Sequence, residues 1–238
     1  MINIVNGHPS FFRKGKCVLE GLKSVLTIHD DILVFGEGST EEEALADHDN
    51  NFHCLMHRCR EKNIKLNWDK VKLRSKEVPF MGHVISEEGL RADPNKIKAV
   101  LEMPTPTDVA SVRRFIGFTN YLSKFLPRLS DALEPLRKLT LSDVEWFWSD
   151  VHDDAVRQVK LLVSNAPVLK YFDSTESLTL HCDASDKGLG AVLLQKGQPI
   201  AYASRALADA ETRYAQIEKE LLAVVYDLEK FHTYTYVR

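Results

Sequence analysis

The chain has 238 residues, 44% hydrophobic and 27% charged, which leaves room for one or two folded domains and argues against wholesale disorder. No apolar run approaches the roughly 18–20 residues that span a bilayer. No basic-then-apolar leader opens the chain, and four cysteines do not make a disulfide framework, so an intracellular (cytoplasmic or nuclear), non-secreted protein in a reduced setting is expected. The net charge of −3 hides a basic middle: residues 51–140 carry 17 Lys and Arg against 10 Asp and Glu, between two acidic flanks. Such a segment can follow phosphates, although a solvated helical surface has the same composition.

In chain order, Val25 to Phe35 reads as two short apolar strands around His29-Asp30-Asp31, with Gly36 and Gly38 as breakers: a hairpin with two carboxylates at its tip. Thr40 and Glu43 fit a capping box, and Glu41, Glu42 and Glu43 sit where a helix dipole favours acids. That helix carries Leu45, Phe52, Leu55, Met56 and Cys59 and stops near Asn63. Residues 64–92 are strand-like and turn-rich. Asp93-Pro94 starts a helix through about Leu101, Thr107 or Asp108 caps a second, and a third runs from Ser130 to Leu139 after Pro127. Beyond the Trp146-Phe147-Trp148 cluster the spacing predicts a helix over about 150–164. Strands follow near 178–183, 188–194 and 199–204, then a helix over 212–231.

Paired aspartates at a hairpin tip suit Mg²⁺, which takes one or two carboxylates together with substrate phosphates. Two such ions activate the attacking oxygen and stabilise the leaving one in phosphoryl transfer. In isolation the pair is weak evidence and reads better as turn chemistry. Its surroundings decide otherwise. Val25 to Phe35 resembles the metal-binding hairpin of reverse transcriptases, Tyr-x-Asp-Asp between apolar strands, mapped here as Ile28-His29-Asp30-Asp31 with Ile28 in place of the aromatic. Phe80-Met81-Gly82-His83-Val84-Ile85 through Leu90 looks like the primer-grip hairpin of that family. Met103 to Thr107, then Arg113-Arg114-Phe115-Ile116-Gly117-Phe118-Thr119-Asn120-Tyr121, looks like its thumb. His181-Cys182-Asp183-Ala184-Ser185 and Glu218-Lys219-Glu220-Leu221-Leu222-Ala223-Val224 resemble the first catalytic strand and helix of the ribonuclease H domain that follows. This order is similar to that of pol polyproteins of gypsy-type LTR retrotransposons, over about residues 9–238.

The resemblance implies a mixed α+β chain: a partial reverse-transcriptase palm over 1–92, a helical thumb over 93–144, and the first part of a ribonuclease H-like α/β domain over 145–238. It implies Mg²⁺ (or Mn²⁺) on Asp30, Asp31, Asp183 and Glu220. It implies nucleic-acid contacts from Met81, Gly82, His83, Arg113, Arg114 and Lys124. An RNA template, a DNA primer, an RNA–DNA hybrid and the remaining polyprotein are the expected partners, and a membrane is not. Pro9-Ser10-Phe11-Phe12 departs from the family in carrying Phe12 where Gln is usual. The family's upstream metal-binding Asp and its later ribonuclease acids have no counterpart here, so the isolated chain is expected to be inactive. A degenerate or domesticated nucleic-acid-binding protein without catalysis is the competing expectation. His53, Cys54, His57 and Cys59 lie within one predicted helix with no second pair at zinc spacing. Trp146 and Trp148 are expected to pack at a domain junction rather than stack on bases.

Overall fold

The computed structural model describes residues 2–5, 19–28 and 31–236. Pro9 to Phe12, Cys17, His29 and Asp30 lie outside the described residues. The chain divides into two compact units, residues 1–87 and 88–238.

In the first unit β1 (Ile2–Val5), β2 (Val25–Ile28) and β3 (Asp31–Val34) form an antiparallel sheet with β3 in the centre. Ile32 and Val34 point to one face, into a core with Leu19, Leu55 and Cys59. Leu33 points to the other, against Val78 and Phe80. Residues 32–34 are buried on both faces of the sheet and are therefore all apolar, without polar alternation. The first face is covered by α1 (Glu41–Glu61). Thr40 accepts the Glu43 amide, and the Glu43 carboxylate accepts the Ser39 amide. Asn63 closes the helix in a left-handed conformation at φ 53°, with the Ile64 amide donating to the Cys59 carbonyl. A Cβ on Gly36 would fall 2.0 Å from the Ala44 carbonyl, so only glycine allows the chain to pass under this helix. The second face is covered by the hairpin β4 (Val78–Phe80) and β5 (His83–Ser86).

The second unit opens with β6 (Gly89–Ala92), whose Leu90 bridges Leu169. Four helices follow: α2 (Pro94–Leu101), α3 (Val109–Tyr121), α4 (Leu129–Lys138) and α5 (Asp150–Ser164). Asp93 caps α2, and Asp108 with Ser111 forms a reciprocal capping box on α3. Val100, Val112, Phe115, Phe125, Leu133, Val159 and Leu169 share one core. Trp146 and Trp148 stack at 5.7 Å and pack against it, and the Trp148 indole donates to Asp153. The division falls after Glu87, and helices on both sides of residue 144 bury the same core. An antiparallel meander completes the unit: β7 (Thr179–Ala184), β8 (Gly188–Gln195) and β9 (Gln198–Ala206). It is followed by α6 (Gln216–Lys230) and the short α7 (His232–Thr235). Cys182, Ala184, Leu189 and Ala223 join α6 to the sheet.

Candidate active site and nucleic-acid interface

In the first unit Asp31 begins β3 and is paired on both sides, with Ile28 on β2 and Val5 on β1. Asp31 therefore belongs to the central strand. Met81 and Gly82 form the two-residue turn between Phe80 and His83, with φ of 54° and 69°. Left-handed values at both positions match the twist of the flanking strands. The exposed Met81 side chain stands at the turn.

In the second unit the two arginines of α3 part company. Arg113 donates to the Thr140 carbonyl at 3.0 Å, so it ties the start of α3 to the chain just past α4. Arg114 lines an open groove with Lys96, Gly117, Phe118 and Tyr121. There the Lys96 ammonium lies 5.8 Å from the centre of the Tyr121 ring. Lys124 lines a separate cleft along β9 with Tyr202, Tyr226 and Lys230.

Asp183 lies on β7 opposite Gly190. Along this strand Thr179, His181 and Asp183 are exposed, while Leu180, Cys182 and Ala184 are more buried. The Asp183 carboxylate is 57% exposed and lies 3.4 Å from the Arg128 guanidinium. Glu220 sits on α6, half-buried. Its carboxylate accepts from the Gln216 amide at 2.8 Å, and the same amide donates to the Ala184 carbonyl at 3.0 Å. One glutamine thus binds the head of α6 to the residue after Asp183 and holds Glu220 beside the strand end. Among the described residues no three His, Cys, Asp or Glu side chains gather into a metal-holding group.

Two further residues lie close by, and one of them, Asp227, carries no motif. Asp227, on the inner face of α6, is fully buried, and its two oxygens have no hydrogen-bond partner of good geometry among the described residues. Burial pushes it up to about 6, and the adjacent Cys182 thiol offsets this in part. The Cys182 thiol is itself pushed up to about 12, by burial first and then by Asp227 and Glu220. The signal for Asp227 is in the sequence: it lies four and eight residues beyond Ala223 and Lys219, the other buried positions of α6.

Comparison with known proteins adds three findings. Residues 148–238 match the family of the RNase H-like domain found in reverse transcriptase. The retrovirus-related Pol polyprotein from transposon 297 of Drosophila melanogaster is 34% identical over 235 residues, 95% of this chain and 21% of that protein. The transposon Tf2-3 polyprotein of Schizosaccharomyces pombe is 31% identical over 215 residues, 88% of this chain and 16% of that protein. The chain therefore spans about a fifth or less of the length of these relatives. The fold is that of the foamy viral protease-reverse transcriptase. The form in complex with double-stranded DNA superposes with a TM-score of 0.82 at 22% identity, over 94% of this chain and 39% of that one. The form in complex with an RNA/DNA hybrid superposes with a TM-score of 0.79 at 22% identity, over 93% and 30%.

Proposed function

We propose that this chain, a segment of a retroelement Pol polyprotein whose residues 148–238 are its RNase H-like domain, serves that polyprotein's work on nucleic acid: RNA-directed DNA synthesis through the hairpin of residues 25–34, and hydrolysis of RNA in RNA–DNA hybrids through β7 and α6. The observation that carries the reading is the Gln216 tie, which sets Glu220 beside the strand end bearing Asp183 inside the matched domain. The donor set fits a hard divalent cation. Asp183 and Glu220 offer carboxylate oxygens, and Cys182 stays protonated, so no soft thiolate competes at that strand end. These two residues would hold Mg²⁺ or Mn²⁺, and Asp30 and Asp31 would do so on the synthesis side. A bound ion would supply charge stabilisation to the phosphate under attack. The Met81-Gly82-His83 turn would set the primer end against the template, and Arg114 and Lys124 would follow the phosphate backbone. Arg113, expected among these contacts, also donates to the Thr140 carbonyl and so has a part in the fold. The complexes of the foamy viral relatives support duplex partners here.

Catalysis is proposed for the polyprotein, because among the described residues Asp183 and Glu220 gather no third acid into the oxygen cage that two-metal chemistry needs. The test is anisotropy and cleavage on one labelled RNA–DNA hybrid. The chain is expected to bind with log affinity falling linearly against log salt and to leave the RNA intact in Mg²⁺ or Mn²⁺. Binding that ignores salt overturns the interface. Robust primer extension abolished by Asp31→Ala overturns the assignment of catalysis to the larger protein. The Arg128–Asp183 pairing favours a second reading, a binder without catalysis. Hybrid cleavage by the Pol polyprotein that is lost in Asp183→Asn is expected under the first reading and not under the second.

A further inference from the structure

We infer that the Asp183 site reaches outside residues 148–238: Arg128, at the head of α4, is a positioning residue that holds the Asp183 carboxylate until a divalent cation replaces it. The inference rests on the reading of Asp183 as a metal ligand.

Arg128 occupies the N-cap of α4 in a left-handed conformation, φ 49°, uncommon for a residue with a side chain. Its guanidinium contacts the first turn of the helix and the sheet. Its Nε donates to Asp131 Oδ2 at 3.1 Å, and its Nη2 lies at 3.1 Å from the same oxygen. The remaining arm, Nη1, lies 3.4 Å from Asp183 Oδ2. The planar fork therefore spans two carboxylates, one from α4 and one from β7.

The rest of the contact is built to bring them together. Asp131 Oδ1 accepts from Ser185 Oγ, two residues beyond Asp183. The Ser130 amide donates to Ser204 Oγ on β9, and Lys187 pairs with Glu134 at 3.5 Å. Gly188 makes the approach possible, since a Cβ there would fall 2.5 Å from Asp131 Oδ1 and 2.9 Å from Ser130 Oγ. Gly190, directly across from Asp183, lies beside Arg128, and a Cβ there would stand in ordinary contact with Arg128 Cγ at 3.5 Å. The hairpin from Asp183 to Gly190 is thus seated on the head of α4 at five places.

The two bonds of Arg128 are unequal. The pair with Asp183 is longer than the roughly 2.7–2.9 Å of a tight charge-assisted hydrogen bond, and both side chains are 57% exposed. The bond to Asp131 is shorter and its acceptor more enclosed. An arriving divalent cation competes for the Asp183 oxygen and is repelled by the guanidinium. Arg128 then retains Asp131 and releases Asp183.

The experiment is a Mn²⁺ titration of the full chain, read as paramagnetic broadening of the backbone amides of residues 183–190. Arg128→Asn removes the charge while asparagine tolerates the left-handed conformation, and Arg128→Lys restores the charge. Arg128→Asn is expected to bind Mn²⁺ about fivefold to tenfold more tightly, the size of one unit charge removed at this range in a solvated setting. Arg128→Lys is expected to return most of the native affinity, and Asp183→Asn to abolish the broadening. Native or weaker affinity in Arg128→Asn, with broadening still dependent on Asp183, overturns the role of Arg128 and leaves the metal reading standing. Broadening that survives Asp183→Asn overturns both.

Discussion

Asp227 is an acid at a position where the helix wheel asks for a small apolar side chain. Lys219, Ala223 and Asp227 recur every four residues on the buried face of α6. Lys219 escapes by reaching Asp186 with its ammonium group, at 3.5 Å. Asp227 is too short to escape, and its carboxyl is pushed up to about 6 from an ordinary value near 3.8. A raised carboxyl favours the folded state while it is protonated. Its contribution is complete below about pH 4 and is lost as pH rises through about 6, where the buried group must ionise. Glu211 and Asp49 run the other way. Arg205 and Arg74 respectively hold them below the usual range, so their contributions are present at neutral pH and lost on acidification. The difference between the native chain and Asp227→Ala isolates the buried acid. The variant is expected to gain on the order of 2 kcal/mol at pH 7.5 and almost nothing at pH 4, with allowance for residual solvation. Melting temperatures across that range check it, and an equal gain at both ends would show that the carboxyl is not the cause.

At the scale of elements, local chemistry was easy to read where a cap or breaker announces itself. Asp93-Pro94, Asp108, Thr40 and Asn63 each stand at the helix end their side chains favour. The meander and α6 follow from apolar runs broken by glycine. What escaped the reading depends on partners far along the chain. Ile2–Val5 is a strand because it pairs with β3, and nothing local marks it. Asp31 sits in the strand because that pairing extends β3 to its first residue. The site was legible as residue types, Asp183 and Glu220 among them, but not as geometry. Neither the Gln216 tie nor the Arg128 contact has a sequence spacing that announces it. The same holds for Arg113 and Arg114, neighbours in sequence with opposite surroundings. Arg113→Ala is expected to lower stability, by about 1 kcal/mol for a lost charged hydrogen bond to a carbonyl, and to leave hybrid affinity unchanged. Arg114→Ala is expected to leave the melting temperature unchanged while weakening binding and reducing the salt slope by about one. Paired melts and salt titrations of the two variants check both, and swapped outcomes would reverse the assignment.

At the scale of the whole molecule, the shared core decides where the chain can be divided. The matched RNase H-like segment begins at residue 148, yet α5 belongs to the helical core that precedes it. Val156, Val159, Val163 and Leu169 are buried against Val100, Val112, Phe125 and Leu133. Division at residue 145 removes one side of that core. Each fully exposed side chain of this size costs roughly 1.5–3 kcal/mol, so four of them rival a domain's whole stability of about 5–15 kcal/mol. The meander side already carries an exposed burden: Ile217, Leu221, Val224, Val225 and Leu228 form an apolar stripe on the outer face of α6, each more than 40% exposed. Such a stripe favours association. Division at residue 88 leaves the core intact, together with the seat of Asp183 on α4. Residues 88–238 are therefore expected to melt as one cooperative transition, and residues 145–238 to melt broadly and to aggregate. Thermal melts with light scattering on both segments check this. A sharp transition for 145–238 at the temperature of the longer segment would mean that the core formed with residues 93–144 contributes little to holding the RNase H-like fold.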